Sequence, residues 1–152
     1  MALFDYPSLG LLGALTLLFV SSFVAATLIP LSSEAVLAGL LAAKFDPWLL
    51  LVVALIGNTL GASANWLLGY RGIDLLQRKL PPFSTIQLER ASQAFKKYGI
   101  LTLLFSWVPL VGDPLTFAAG VLKVPFGTFL VPVTVGKAIR YLVVMGVTVP
   151  FL

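Results

Sequence analysis

Residues 26–38 read A-T-L-I-P-L-S-S-E-A-V-L-A, an apolar run that Pro30 breaks and Glu34 follows. Proline ends a helix and a carboxylate resists burial in hydrocarbon, so the two together mark a special point in an apolar segment. The same word returns 79 residues later: Pro109, Leu110 and Asp113 stand where Pro30, Leu31 and Glu34 stand, and Gly136 stands where Gly57 does. The shared pattern is Pro-Leu-x-x-acid, then a glycine 23 residues beyond the acid. At the same offset Asn58 lies opposite Lys137, and Gly61 opposite Arg140.

Around these words the chain is strongly apolar. Of its 152 residues 59% are hydrophobic and 11% charged, against about a quarter charged in a soluble domain. A water-soluble globule is excluded. The chain has no His and no Cys, which removes disulfides, thiolate metal sites and imidazole chemistry; no metal and no cofactor is expected. The length suits one membrane domain over residues 1–152.

Residues 8–29 are apolar apart from small hydroxyls, and residues 31–43, only 13 long and carrying Glu34, are too short to cross a hydrocarbon core of about 30 Å. Residues 8–43 therefore read as a re-entrant hairpin turning at Pro30, Leu31, Ser32 and Ser33. After a polar loop from Lys44 to Pro47, residues 48–69 are the clearest crossing. Gly57 and Gly61 form a GxxxG, serving internal packing or a homo-oligomer, and Asn58, Ala62, Asn65 and Gly69 make one small and polar stripe.

Residues 84–98 carry a capping-box pattern, Ser84 with Gln87, and Leu88, Ala91, Phe95 and Tyr98 share one face. This is either an amphipathic helix on an anionic leaflet or a solvated helix joining two halves. Residues 100–122 are interrupted by Pro109, Gly112, Asp113 and Pro114 and read as a second hairpin, and residues 126–150 as the last crossing. A hairpin plus a single crossing per unit turns the second unit over. The expected fold is thus an all-α integral membrane protein, an inverted repeat of 8–69 and 100–150, which is the architecture that places a transporter's site near the midplane.

The net charge of +4 comes from ten Lys and Arg against six Asp and Glu. All of it lies in residues 70–99, where Arg71, Arg78, Lys79, Arg90, Lys96 and Lys97 face only Asp74 and Glu89. By the positive-inside rule this segment is cytoplasmic; in so apolar a chain it is a poor nucleic-acid patch. The first 43 residues hold no Lys or Arg, so the first apolar stretch reads as retained structure and not as a signal peptide.

Glu34, Asp113, Lys137 and Arg140 fall inside the expected membrane segments. A charge at the bilayer centre costs about 2.5 to 3.5 kcal/mol on insertion scales, so two acids and two bases there should find one another or water. Lys137 and Arg140, at i and i+3, face the same way. Such a cluster either only holds the hairpins in place, or binds an anionic group or moves protons. An anion competing for Arg140 would release Glu34 or Asp113 to take a proton. Ser32, Ser33, Asn58 and Asn65 would supply hydrogen bonds to a phosphate, or serve helix packing alone. A hydrolase would need a pair such as Ser33 with Lys137; nothing in the sequence brings them together, and no catalytic residue is expected.

The stretches ATLIPLSSEAVLA (26–38), GNTLGASANWLLG (57–69), YGILTLLFSWVPLVGDPLTFAAG (98–120) and GKAIRY (136–141) resemble the DedA family of membrane proteins, also called SNARE-associated or VTT-domain proteins, and most of all its short YqaA-like bacterial branch. The resemblance implies two opposed re-entrant hairpins, the bacterial inner membrane, and roles in lipid handling, envelope integrity and proton-dependent transport. Glu34 matches the family's glutamate after the hairpin Pro and Ser; Pro109 and Gly120 match the second hairpin's proline and Ala-Gly pair. Longer members carry a further acid where this chain has Ala25, and two arginines where it has Ser106 and Gly112. Here Lys137 and Arg140 are left to supply the positive charge.

The expected function is an inner-membrane transporter or flippase for an anionic lipid or lipid-linked phosphate, proton-coupled through Glu34 and Asp113, with anionic phospholipid head groups as partners. A proton-coupled exporter of a small solute and a non-transporting scaffold for envelope integrity are the alternatives. Because the chain lacks cysteine, single-cysteine variants test the orientation directly. Asp46→Cys should react with an impermeant maleimide applied from outside, and Lys96→Cys only after the membrane is opened; the reverse pattern overturns the assignment.

Overall fold

The computed structural model describes residues 10–27, 33–76, 85–108 and 111–151, which form helices and no strands. The elements are α1 (Leu11–Ala25), α2 (Ser33–Ala42), α3 (Pro47–Leu76), α4 (Thr85–Tyr98), a 3₁₀ helix (Gly99–Trp107), α5 (Gly112–Val121), α6 (Phe126–Thr148) and a closing 3₁₀ turn (Val149–Phe151). The prolines at 30 and 109, Leu31, Ser32, Leu110 and the Ser84 cap lie outside the described residues.

At 1.5 Å per residue, α1, α2 and α5 reach only about 15 to 22 Å, short of a bilayer core, whereas α3 and α6 reach about 45 and 35 Å. Pro47–Gly72 and Phe126–Thr148 are long and apolar enough to cross a membrane. Their outward faces are apolar: Val52, Ile56 and Leu60 on α3 and Val131, Val135, Ile139 and Val143 on α6 are exposed, while Asn58, Asn65 and Lys137 are buried. That is the reverse of the arrangement water imposes.

Several boundaries differ from the sequence reading, each for a tertiary reason. Of the described residues in the run 8–29, Leu11–Ala25 form the helix, and Ala26 and Thr27 turn out of it. Beyond it the Thr27 hydroxyl donates back to the Val24 carbonyl at 2.7 Å, and the Ala26 carbonyl, freed from any ladder, accepts from Asn65 Nδ2 at 2.8 Å. The crossing expected over 48–69 continues to Leu76, so the basic segment 70–99 begins as helix. The arm after Gly99 is a 3₁₀ helix of nine residues, long for that type. Gly99, at φ +60, ends α4, and Thr102 Oγ1 donates back to the Ala94 carbonyl at 3.1 Å to close the corner. The crossing expected over 126–150 tightens into the 3₁₀ turn after Thr148 and accommodates Pro132 in its interior.

The 79-residue offset reappears in the elements. Ser33–Ala42 maps onto Gly112–Val121 residue for residue, and Pro47 onto Phe126 as the first residue of the long helix. Between them lie two like turns. Lys44 (φ 66) and Lys123 (φ 55) are the only non-glycine residues with positive φ among the described residues. Phe45 N–H reaches the Leu40 carbonyl and Lys44 N–H that of Leu41; Val124 N–H reaches Ala119 and Lys123 N–H reaches Gly120. Both are Schellman turns, with lysine where glycine usually stands.

The long helices run antiparallel and share two apolar clusters. Leu50 and Ala54 of α3 pack with Tyr141 and Met145 of α6, joined by Leu18 of α1 and Leu37 and Leu40 of α2. At the other end Ala62 packs with Phe129 and Val133, joined by Phe95, Leu103, Leu115 and Ala119. There Trp66 stacks on Tyr70, contacts the rings of Phe126 and Phe129, and donates Nε1 to the Val124 carbonyl at 3.0 Å.

α3 and α5 touch backbone to backbone through a reciprocal pair of glycines. A Cβ on Gly69 would run into the Phe117 carbonyl oxygen, and one on Gly120 into that of Trp66. Neither side can yield, because both obstacles are main chain. Gly69→Ala and Gly120→Ala should each destabilise the fold by about 1–3 kcal/mol, read as a lower melting temperature in detergent. Gly127→Ala and Gly146→Ala, with open space around them, should leave it unchanged.

Candidate functional site

Between the two apolar clusters lies a polar layer built from three helices. Ser33 and Glu34 open α2, Asn58 lies within α3, and α6 contributes Lys137, Arg140 and Tyr141. On α6 the spacing i, i+3 and i+4 projects all three side chains toward one face. Lys137 stands eleven residues from either end of α6, about 16 Å by helical rise, and only 2% of it is exposed.

An ammonium so placed needs an oxygen acceptor, because an unpartnered buried cation is far costlier than a neutral polar group. Lys137 Nζ donates to Asn58 Oδ1. Since an ammonium has donors only, the amide must turn its oxygen to the lysine and its nitrogen away. Asn58 Nδ2 accordingly donates to Tyr141 Oη at 2.9 Å. The phenol is also hydrogen-bonded to Ser33 Oγ at 3.2 Å. One chain of contacts thus ties α6 to α3 and α3 to the mouth of α2.

Beside it Arg140 grips Glu34, Nε and Nη2 both lying 2.5 Å from Oε1. The pair is less enclosed than Lys137, with side chains 25% and 36% exposed. Glu34 sits in the first turn of α2, where the helix dipole favours a negative charge. Asp113 holds the equivalent place in the first turn of α5.

The two acids and two bases are expected to find one another or water, and the structure divides them. Arg140 and Glu34 form an ion pair. Lys137 takes an amide instead of a carboxylate, and Asp113 lies beyond contact distance, although its charge interacts with both Lys137 and Arg140. Ser33 meets Tyr141, and not Lys137. Asn65, read as a phosphate ligand or as a packing residue, braces the end of α1. Its Nδ2 joins the Ala26 carbonyl to Thr116 Oγ1, and the Thr116 hydroxyl donates to the Asp113 carbonyl at 2.8 Å. Asn65 Oδ1 is buried and has no hydrogen-bond partner among the described residues.

Sequence reasoning missed Tyr141, which is 1% exposed and joins Ser33 to Asn58. The available signal was its position one helical turn beyond Lys137, on the same face. Tyr141→Phe removes the shared oxygen and should cost about 1–3 kcal/mol, read as a lower melting temperature. Asn58→Leu and Lys137→Met should each be destabilising alone, while the double variant recovers much of the loss, because each single change strands the other polar group. Additive losses would show that the two side chains do not depend on each other.

The comparisons with known proteins agree with one another. Residues 29–149 match the VTT domain. Over 134 residues the chain is 40% identical to the inner membrane protein YqaA of Escherichia coli strain K12, covering 87% of this chain and 89% of the relative. The protein of the same name in Shigella flexneri aligns with the same identity and coverage. A protein of Haemophilus influenzae described as uncharacterized is 31% identical over 147 residues, 91% of this chain and 90% of that one. No solved structure matches. The matched domain contains the whole polar layer and both long helices, and with relatives at this identity over most of its length the chain belongs to the VTT-domain, or DedA, family.

Proposed function

We propose that this chain is a transporter or flippase of the bacterial inner membrane that moves an anionic lipid or lipid-linked phosphate through the layer around Lys137. The observation that carries this reading is the state of Lys137. It is a buried cation at the centre of a long apolar helix, held by a neutral amide, while Glu34 is taken by Arg140. A positive charge held without a contacting counter-ion suits an anion that comes and goes. The relatives named as inner membrane proteins support the location.

The proposed architecture is an inverted repeat. Three observations support it: α2 and α5 have equivalent bounds, the Schellman turns coincide, and α3 and α6 are antiparallel. A fourth is the Asn58–Lys137 contact itself, between residues 79 apart. Positions related by a two-fold axis touch each other only on that axis, so in an inverted repeat the pseudo-axis would run through the polar layer. In this reading α1 with α2, and the 3₁₀ helix with α5, are two re-entrant hairpins entering from opposite sides. Residues 70–99 face the cytoplasm and the 44–47 turn faces outward.

The working cycle follows from charge balance. An arriving phosphate competes with Glu34 for Arg140 and is drawn on by Lys137. Glu34, deprived of its cation, takes one proton for a singly charged phosphodiester, and Asp113 takes a second where the phosphate carries two charges. Anion and proton then occupy the layer together, and neither leaves an unbalanced charge in hydrocarbon.

Proteoliposomes containing fluorescent phosphatidylglycerol or a fluorescent polyprenyl phosphate test this directly. The protein should speed the exposure of inner-leaflet probe to an impermeant quencher, a pH gradient should alter the rate, and Glu34→Gln and Arg140→Ala should each slow it. No acceleration by the wild type sinks the flippase reading. Loss of all activity in Glu34→Gln with none in Arg140→Ala sinks the paired-site mechanism.

A further inference from the structure

The amphipathic helix α4 stands off part of the body. Between it, the 3₁₀ helix and the start of α5 lies a cleft of about 450 Å³, within the range of about 300–1,000 Å³ typical of ligand pockets. Its walls are apolar, formed by Ala91 and Ala94 of α4, Phe105 and Val108 after the corner, and Leu115 of α5. Its rim is basic. Arg90 stands at the edge, exposed, and makes no ion pair among the described residues. Tyr98 also lines the cleft, and Lys97 Nζ lies 5.0 Å from the centre of its ring. Arg90 and Lys97 are seven residues apart, about 10 Å along one side of α4.

An apolar slot with Arg90 on its rim, and Lys97 outside it against the Tyr98 ring, matches a molecule with a long apolar body and one anionic head. None of Glu34, Asn58, Lys137 and Arg140 lines it, so it is separate from the central layer. The segment it belongs to, residues 70–99, carries the chain's whole charge excess, which draws an anionic leaflet toward this surface. We propose that the cleft binds one acyl chain of an anionic glycerophospholipid, its phosphate held by Arg90 and attracted by Lys97. The lipid would complete the packing of α4 against α5. This rests on the membrane location proposed above but not on transport.

Photo-crosslinking of the full chain in lipid nanodiscs tests the site. Phosphatidylglycerol with a diazirine on its acyl chain should label peptides within residues 90–115, and the phosphatidylcholine analogue should label them far less. Arg90→Gln should cut phosphatidylglycerol labelling about tenfold, the weight of one charge-assisted phosphate contact. Ala94→Phe should abolish it by filling the slot. Should that variant fail to fold, Val111→Trp, placed on an exposed wall residue, should do the same. Equal labelling by the two lipids, labelling that survives both filling variants, or full displacement by palmitate would each overturn the proposal. Glu34→Gln should leave the labelling unchanged. A wild-type protein that labels but shows no lipid movement in proteoliposomes would sink the flippase reading and leave this site standing.

Discussion

The contact between Lys137 and Asn58 is the constraint around which the rest of the structure is arranged. An ammonium at the midpoint of an apolar helix has no water to turn to, so a neighbouring helix must bring an oxygen to it. That requirement sets how α3 and α6 lie against each other. Once Asn58 faces Lys137, its amide nitrogen points at Tyr141, and the phenol in turn holds Ser33 at the entrance to α2. The apolar clusters on either side then have only one way to close.

Glycine does for the backbone what this layer does for the polar groups. In hydrocarbon the outer faces of α3 and α6 gain nothing by burial, so cohesion depends on close packing and on internal hydrogen bonds. Gly69 and Gly120 let α3 and α5 meet at the level of their carbonyls, and Gly57 and Gly136 meet the carbonyls of Phe19 and Leu104 in a similar way. The sequence reading took the Gly57–Gly61 pair as serving either internal packing or an oligomer. Both glycines face α1 within the same chain.

The two carboxylates occupy equivalent helix starts but different states. Glu34 is held by Arg140, whereas Asp113 has no contacting cation among the described residues. In the proposed inverted repeat this asymmetry is what a single site visited from two sides would show in one of its two conformations. Longer family members place arginines where this chain has Ser106 and Gly112. Gly112 is packed against the Ser106 carbonyl, so an arginine there would need a different corner. Lys137 and Arg140, reaching in from α6, are the basic groups of this chain's layer.

Much of the architecture was legible in the sequence because it rests on local chemistry. Apolar composition set the helical class, Gly99 stands at the end of α4, and the spacing of 79 residues recurs between the starts of α2 and α5 and of α3 and α6. Glu34, Asp113, Lys137 and Arg140 were equally visible, since charge in an apolar run stands out without any fold. Which charge meets which was not legible, because pairing depends on the relative rotation and depth of helices more than 70 residues apart. Only the tertiary structure set Lys137 on an amide, left Asp113 at a distance, gave Tyr141 its bridging place and turned Asn65 into a brace for the end of α1. Hydrophobicity and turn chemistry are properties of short segments and are written in the chain; the partner of a buried polar group is a property of the packed bundle.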